Sequence, residues 1–357
     1  MLRLYTEITF VPDKNGEAPF KINYMHEAST SESWANLTDY FSFTLPKQIN
    51  RDGKNIFVGE DALLHRGDRV IVKHGYYPTL NKIFDGYITE IGSKIPVVIK
   101  CEDETFLLKN TNIIFPTKRT VITNSIKKNG TYGKRLKKPR VIVDTYSLDD
   151  LLDEILPDYI HYECLDMQLA KRAYTNVSVT RILEDLRSTY GLYSYFRTDD
   201  NGDQVLHVGF ASDASTGNTV EFEFENNIID DSSLEYQVES DIFFKIVVKL
   251  MNENNEVEET TYGDTDGSQR TFHLYWDSSK AKPDVKKFGQ DQLEKLKYTG
   301  YKGSFMTFGE PYVTHGDIVK LTSKKMPERD GNYLVKEVKR TWGMNGSRQE
   351  IFIEQKV

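Results

Sequence analysis

Hydrophobic and polar side chains alternate along the first hundred residues of the chain. Apolar residues fall at even positions near the start, at Leu2, Leu4, Ile8 and Phe10, which is the two-residue period of a half-buried β-strand. Further short apolar runs follow at residues 40–45, 69–73, 87–91 and 96–100, each bounded by Gly, Asp, Asn or Pro residues that turn the chain. The pattern predicts a small antiparallel barrel or sandwich over residues 1–112.

The period changes to that of a helix in the middle of the chain. Ser147 can cap a helix over residues 148–156, and Ser178 can cap a second helix that Gly191 would end in the left-handed conformation. The second helix has one apolar stripe, formed by Val179, Ile182, Leu183, Leu186 and Tyr190. An aromatic hairpin follows, whose strands at 192–197 and 204–210 flank a turn at 199–203 that contains Asn-Gly, a sequence that tolerates the positive φ angles of tight turns. Residues 113–212 are therefore predicted as a basic linker and an α+β domain.

Strand patterns return after residue 212. Residues 220–225 alternate phenylalanine or valine with glutamate, and residues 242–250 are apolar enough for a central strand. A helix around 284–298 interrupts the strands, and short strands and turns continue to the end. The predicted fold class is mainly β with an α+β middle. Residues 213–357 are interpreted as a second barrel with an inserted helix.

Two segments near opposite ends of the chain have the same order of turns and strands. In each, a Gly-Asp pair opens one strand and an Asp-Gly pair opens the next: Gly67-Asp68 with Asp85-Gly86, and Gly316-Asp317 with Asp330-Gly331. The repetition has two interpretations. Both pairs are common hairpin residues, so the match can be coincidence. Alternatively, each chain contains two copies of one barrel, and a trimer would then present six similar units in a ring.

Composition and charge exclude several classes of protein. The 357 residues include 46 Lys and Arg against 54 Asp and Glu, which gives a net charge of −8. This charge argues against electrostatic binding of the molecule as a whole to nucleic acid or to an anionic membrane. Two cysteines, Cys101 and Cys164, are too few for a disulfide framework. Because no signal peptide and no long apolar stretch is evident, we expect a chain made in the cytoplasm without a membrane anchor.

One strongly basic stretch stands apart from this acidic average. Residues 117–140 contain nine Lys and Arg residues and no Asp or Glu. We interpret Lys134, Arg135, Lys137 and Lys138 as a docking loop for an acidic neighbour. Contact with nucleic acid is the alternative, although Tyr132 is the only aromatic residue available there to stack on a base.

Known catalytic and metal-binding patterns are not evident in the sequence. The seven histidines form no HExxH pair, and no GxSxG, GxxxxGK or GxGxxG motif is present. The acidic loops at 199–203 and 264–267 are explained by turn chemistry rather than by calcium. We therefore expect no enzymatic activity, no metal and no cofactor, although paired carboxylates of a hydrolase cannot be told from solvated ones. Two interpretations remain for Glu221, Glu223 and Glu225. They lie either on the solvent-exposed face of a strand or on a surface that faces the channel of a ring.

The sequence resembles that of phage tail hub proteins of the late control D type. The resemblance lies in residues 84–91 and 94–104, in the helix and hairpin at 178–210, and in residues 311–357 with their Gly316-Asp317 and Gly331-Asn332-Tyr333 strings. It implies two similar tube-like barrels per chain and a homotrimeric, pseudo-six-fold ring in the virion tail, assembled in the cytoplasm of a host bacterium. The implied partners are the tail tube or a distal tail protein, a spike or tip protein and a tape measure protein, with DNA only as passing cargo.

The resemblance leaves three alternatives for the biological setting. The sequence ends at Val357 without a neck domain or a β-helix, so the resemblance implies that the spike is a separate chain. The hub of a tailocin or a contractile injection system would work by the same matching of shape and symmetry and would differ only in its cargo. From other classes, a tail-associated cell-wall hydrolase and a nucleic-acid-binding module remain open.

Overall fold

The structure is a computed structural model, and it describes most of the chain. The described residues are 4–13, 18–51, 54–58, 64–115, 146–170, 172–199, 201–211, 214–252, 256–276 and 282–357. The basic stretch that includes Lys134, Arg135, Lys137 and Lys138 lies outside them. As the sequence predicts, the fold is mainly β with an α+β part in the middle.

The N-terminal region is made of strands. In β1, Ile8 and Phe10 are fully buried whereas their chain neighbours are partly exposed, so the two-residue period predicted from the sequence is present. The strands are β1 (Leu4–Val11), β2 (Phe20–Ile22), β3 (Ala28–Ser33), β4 (Tyr40–Leu45), β5 (Gln48–Arg51), β6 (Lys54–Phe57), β7 (Arg69–Tyr76), β8 (Asn81–Ile91) and β9 (Val97–Glu102).

Helices and short strands alternate in the middle region. Ser147 caps one helix through a reciprocal pair of hydrogen bonds with Asp150, each 3.0 Å long. Ser178 caps another, which ends at Gly191 with φ +74°, as predicted. The elements are α1 (Thr105–Asn110), β10 (Asn112–Phe115), β11 (Tyr146–Ser147), α2 (Leu148–Ile155), β12 (His161–Cys164), β13 (Gln168–Leu169), β14 (Tyr174–Ser178), α3 (Val179–Tyr190), β15 (Tyr193–Thr198) and β16 (Gln204–Gly209).

Strands dominate the C-terminal region, with one α-helix among them. The elements are β17 (Thr219–Glu223), β18 (Ile228–Asp230), β19 (Leu234–Gln237), β20 (Phe244–Asn252), β21 (Val257–Gly263), β22 (Ser268–Trp276), α4 (Val285–Leu296), β23 (Gly300–Phe308), β24 (Ile318–Thr322), β25 (Gly331–Gly343) and β26 (Gly346–Lys356). Asp284 caps α4 by accepting a 2.9 Å hydrogen bond from the amide of Lys287.

One sheet contains fourteen of the described strands and runs through both ends of the chain. Its order is β18-β23-β26-β25-β3-β4-β9-β8-β7-β1-β2, with β19 beside β23 and with β24 between β25 and β17. The link is the antiparallel pairing of β3 with β25, in which Ser33 lies opposite Glu337 and Ala28 opposite Trp342. The two regions predicted as separate barrels therefore share one hydrogen-bonded sheet. The closure of each region into a barrel stays a prediction.

Each region has its own hydrophobic core. Phe10 and Phe41 lie in the N-terminal core, and Phe222 and Phe305 lie in the C-terminal core. The middle region forms a third core around helix α3, where Leu183 is 1% exposed. Because burial of apolar area is the main favourable term in folding, these three cores supply most of the stability, and the shared sheet fixes how they are arranged.

The helix predicted near residues 284–298 is present as α4, and three strands accompany it. β20 is the central strand of a separate sheet ordered β21-β20-β22, which matches the prediction of a central strand near 242–250. Ile246 and Val248 pack with α4 in a small core of their own, and Phe288 of that helix also contacts the core of the middle region. The insertion is therefore larger than the sequence predicts and lies outside the main sheet. The predicted domain boundaries stay predictions.

One prediction about turns is confirmed and one is wrong. β15 ends at Thr198 and β16 begins at Gln204, so their connection is the predicted 199–203, and the Asp199 carboxylate organises it by accepting bonds from the amides of Asn201 and Asp203. Asp85-Gly86 is not a turn but lies inside β8. The Asp85 carboxylate accepts two hydrogen bonds from the Arg69 guanidinium on β7, 2.8 and 3.0 Å long, and this cross-strand pair replaces the predicted turn.

We predict that Gly86→Ala destabilises the fold. A Cβ at Gly86 would overlap the carbonyl oxygen of Glu102 and lie 2.8 Å from the Cα of Asp103, and neither backbone atom can move without shifting β9. Overpacking of this kind costs about 1–3 kcal/mol. Chemical denaturation measures the loss, and Gly343→Ala is the matched control because its Cβ would meet only the Glu27 Cβ, at 3.7 Å. Equal stability of the two variants would contradict the prediction.

Candidate functional site

The three regions of the chain meet where β3 pairs with β25, a contact that we call the seam. Trp34 lies at one end of the seam, directly after Ser33; it is 2% exposed, and its indole N–H donates a 2.9 Å hydrogen bond to the carbonyl oxygen of Val335. The ring also makes an edge contact with Tyr193 of the middle region, with ring centroids 5.2 Å apart. One side chain thus joins all three regions.

An ion pair is buried beside the seam. Arg340 of β25 is 2% exposed, and its Nη2 donates a 2.8 Å hydrogen bond to Oε1 of Glu32 on β3 and another to the carbonyl oxygen of Val313. The guanidinium carbon lies 4.4 Å from the centre of the Tyr312 ring. Burial acts to raise the pKa of Glu32, but the charge and the hydrogen bond of Arg340 outweigh it, so the pKa lies below its usual value. Glu32 is therefore ionised at neutral pH.

A cavity opens next to this pair, and we call it the central cleft. Its volume is about 570 Å³, within the range typical of ligand-binding pockets. It is bounded by the N-terminal, middle and C-terminal regions together. Its lining includes these acids, bases and histidines: Glu32, Asp39, Lys82, Asp85, Asp103, Glu163, Arg197, Asp199, His207 and His315.

Two carboxyl groups lie close together in the central cleft. The Asp39 amide donates a 3.1 Å hydrogen bond to the Asp103 carboxylate, while the Asp39 carboxylate accepts one from the amide of Ser33 at 2.9 Å. Burial, and then the charges of Asp103 and Glu32, raise the pKa of Asp39 well above its ordinary value. Burial likewise raises the pKa of Asp103 to about 7. The pair therefore holds protons in the pH range where exposed aspartates are ionised.

Two buried histidines lie near Arg340. Burial lowers the pKa of His315 to about 4, and burial followed by the charge of Arg340 lowers the pKa of His74 to the same value. Both rings are consequently neutral at pH 7. His74 bonds to the Thr6 hydroxyl through Nδ1 at 2.7 Å, whereas Nδ1 of His315 has no partner among the described residues.

The Gly-Asp turns at the two ends of the chain have the same hydrogen bonds. The amide of Gly67 donates to the Ile88 carbonyl at 2.9 Å, and the amide of Gly316 donates to the Val335 carbonyl at 2.8 Å. Both glycines have positive φ, +97° and +86°, a conformation that favours glycine.

The aspartates of these turns are equivalent as well. Asp68 is 1% exposed and its carboxylate accepts from the amide of His65 at 2.7 Å; Asp317 is 5% exposed and accepts from the amide of Thr314 at 2.9 Å. Each aspartate carbonyl then accepts a hydrogen bond from the opposite strand, at 2.9 and 2.8 Å respectively. The sequence echo at Gly-Asp thus corresponds to one local structure that occurs twice.

The second half of the echo is offset. Gly67 bonds to a residue three positions after Asp85, and Gly316 bonds to a residue five positions after Asp330. Asp85-Gly86 lies inside β8, whereas Asp330 accepts a bond from the amide of Ser323 and Gly331 begins β25. The two Asp-Gly pairs are therefore not equivalent positions. The Asp-Gly half of the sequence echo therefore marks two different points in the local structure.

The glutamates near β17 face lysines. β17 runs parallel to β24, and Glu221 pairs with Lys320 at 3.3 Å while Glu223 pairs with Lys324 at 2.5 Å. The Glu225 carboxylate accepts a 2.8 Å hydrogen bond from the Ser323 hydroxyl, which is first among the causes that lower its pKa. This acidic face is thus partly neutralised within the chain. Whether it lines a channel stays a prediction.

The described residues contain no group of three or more His, Cys, Asp or Glu side chains arranged to hold a metal ion. Among the described helices, none has the length and apolar character required to cross a bilayer.

The buried groups of the seam and the central cleft were missed by the sequence analysis. Alternation along β25 places Arg340 on the same face as the buried Val338 and Trp342, and this period was a usable signal for a buried arginine. Asp39 and Asp103 have no comparable signal, because they come together only when β4 pairs with β9.

We predict that Arg340→Met costs about 3–5 kcal/mol of stability, because it leaves the Glu32 carboxylate buried without a partner. Lys339→Met, one residue away at a side chain 47% exposed, should cost less than about 1 kcal/mol. Adding Glu32→Gln to Arg340→Met should recover part of the loss. Denaturant unfolding measures each step, and strictly additive losses in the double variant would contradict the pairing.

We predict that Asp103→Asn changes the pH dependence of stability. The folded chain holds the Asp103 proton up to a pKa of about 7, against 3.8 ordinarily, so its contribution to stability falls as pH rises between these values. Asparagine lacks this ionisation. The variant should therefore gain on the order of 2 kcal/mol relative to wild type between pH 4 and pH 8. Unfolding curves across pH measure it, and Glu90→Gln, an exposed side chain paired with Lys100, should show no such gain.

Comparison by sequence identifies no relative, since neither a protein family nor a curated protein matches the chain. Comparison of structures does. The 43 kDa tail protein of prophage MuSo2 from Shewanella oneidensis has 13% identical residues and a TM-score of 0.53, with 98% of each chain covered. A tail protein from Neisseria meningitidis has 12% identity and a TM-score of 0.57, covering 98% of this chain and 96% of its own.

A component of a type VI secretion system is also similar in structure. This E. coli protein, which is described as structurally similar to the T4 bacteriophage tail proteins gp27 and gp5, is 9% identical with a TM-score of 0.55, and the match covers 98% of this chain and 76% of that one. The resemblance to phage tail hub proteins is therefore confirmed at the level of the fold. The chain has the fold of phage tail proteins.

Proposed function

We propose that the chain is a non-enzymatic structural subunit of a phage-type tail, located at the baseplate or tail tip. The observation that carries this proposal is the extent of the fold match, which covers 98% of this chain and 98% of a prophage tail protein. A match over nearly both whole chains favours a function that resides in overall shape. A function carried by one local site would require only the elements around that site to be alike.

We further propose that three copies form a pseudo-six-fold hub ring. The two Gly-Asp turns, Gly67-Asp68 and Gly316-Asp317, support this proposal because they repeat one hydrogen-bonded structure at the two ends of the chain. Three chains would then supply six such units, and a ring of this kind can join a six-fold tube to a three-fold spike. The partners would be the tail tube or a distal tail protein on one side and a separate spike or tip protein on the other.

DNA would pass through such a ring without being held. Glu221, Glu223 and Glu225 are candidates for the channel surface, since carboxylates repel the phosphate backbone. Their lysine partners, Lys320 and Lys324, lower the net charge of this face, so repulsion would be mild. A hub of a tailocin or another contractile injection system would have the same ring geometry and a different cargo.

The proposal predicts where the protein is found in assembled particles. Electron cryomicroscopy of tails purified from the producing cells should show three copies of this chain at one end of the tail tube, about 124 kDa in total for three 41.3 kDa chains. Absence of the chain from the tails, or six copies in a ring, would contradict the hub.

The rival enzymatic function has a separate test. Purified chain in a gel that contains bacterial cell walls should leave the walls intact, and a cleared zone would favour a tail-associated hydrolase. Salt-sensitive binding to DNA that is lost when Lys134, Arg135, Lys137 and Lys138 are replaced by glutamine would favour a nucleic-acid-binding module.

A further inference from the structure

The central cleft contains a pair of carboxyl groups that no nearby cation neutralises. Asp39 and Asp103 receive their hydrogen bonds from backbone amides and from Thr105, whose hydroxyl donates to Asp103 at 2.5 Å. Among the described residues, no Lys, Arg or His nitrogen lies within 4.0 Å of either carboxylate. Burial therefore favours the protonated form of both carboxyl groups, and a positive charge bound beside them would favour the ionised form.

The positive groups around the cleft are already committed to other partners. Lys82 pairs with Asp85 at 3.2 Å, His207 lies 3.3 Å from Glu163, and Arg340 is paired with Glu32. Arg197 donates to the carbonyl of Ala214 at 2.6 Å and lies over the Tyr195 ring. None of the described cations therefore forms an ion pair with Asp39 or Asp103, although the charges of Arg340 and Lys109 act on them at longer range.

Three buried polar atoms in the wall of the cleft also lack partners among the described residues: two, in Thr30 and His315, can accept a hydrogen bond, and the third is the Nε donor of Arg197. Thr30 is 5% exposed and His315 is 2% exposed, and both line the cleft. Neither the Thr30 hydroxyl oxygen nor the His315 Nδ1 has a hydrogen bond within the described structure. Buried polar atoms are normally satisfied, so the Thr30 and His315 atoms are available to accept hydrogen bonds from a ligand in the cleft. With the two carboxyl groups, they form a set rich in hydrogen-bond acceptors.

We propose that the central cleft binds an arginine side chain presented by a basic segment of a partner protein. The planar guanidinium group carries five N–H donors and a permanent charge, which suits several acceptors that converge from different elements. A volume of about 570 Å³ leaves room for the neighbouring residues of the segment as well. This inference concerns a partner site and does not rest on the proposed place of the chain in a tail.

The same arrangement makes binding depend on pH. An arginine in the cleft would favour the ionised forms of Asp39 and Asp103, so binding must release the protons that the free protein holds there. Affinity should therefore rise as pH increases from about 5 to about 8. A purely surface attraction between a basic peptide and an acidic protein would change little over this range, because exposed carboxylates stay ionised throughout.

The test uses the full-length chain and a fluorescein-labelled peptide that alternates glycine with arginine. Fluorescence anisotropy at pH 8 should show saturable binding, and the same peptide with citrulline, which keeps the shape but lacks the charge, should bind at least about tenfold more weakly. Asp39→Asn and Asp103→Asn should each weaken binding of the arginine peptide by a similar factor. Glu90→Gln, which removes one negative charge outside the cleft, should leave the affinity unchanged.

Several results would overturn the proposal. It fails if the citrulline peptide binds as tightly as the arginine peptide, if Glu90→Gln weakens binding as much as Asp103→Asn, or if wild-type affinity is the same at pH 5 and pH 8. Should the asparagine variants unfold, hydrogen exchange of the wild-type chain decides. The arginine peptide should then protect backbone amides around Thr30 and Asp103, and the absence of such protection rejects the site.

Discussion

Pairing between β3 and β25 brings residues 306 positions apart in the sequence into one sheet, and the three hydrophobic cores are arranged around this contact. β3 has the sequence Ala-Ser-Thr-Ser-Glu-Ser and offers little apolar surface. Its place is fixed instead by backbone ladders on both edges and by polar side chains such as Glu32, which reaches Arg340. Because buried backbone groups must be paired, β3 can be displaced only by opening the ladders on both sides.

Polar side chains also line much of the central cleft. Elements from the three regions meet at the seam without filling the space between them, and the residues that line this space combine acids, histidines and hydroxyl groups with apolar side chains such as Phe84 and Phe196. A polar cleft between regions that share a continuous sheet keeps its shape through hydrogen bonds, and it is available to a ligand that satisfies the remaining ones.

The parts of the fold that the sequence predicts are those specified by neighbours in the chain. The helix caps at Ser147 and Ser178 and the alternation in β1 depend on residues only a few positions apart, and each is found where expected. The seam was not predicted, because a polar strand such as β3 has no periodic signal and its partner lies at the other end of the chain. The parallel pairing of β17 with β24 was likewise invisible to local patterns.

The long sequence separation across the seam has a consequence for synthesis. When β3 leaves the ribosome, its partner on one edge is β25, whose Glu337 is translated 306 residues after Ser31 of β3. Until then that edge is an open row of amides and carbonyls, although its serines and Glu32 make it a poor template for apolar aggregation. A nascent chain therefore cannot complete its main sheet before β25 and β26 have been translated, and products truncated before them lack the finished surface that assembly would require.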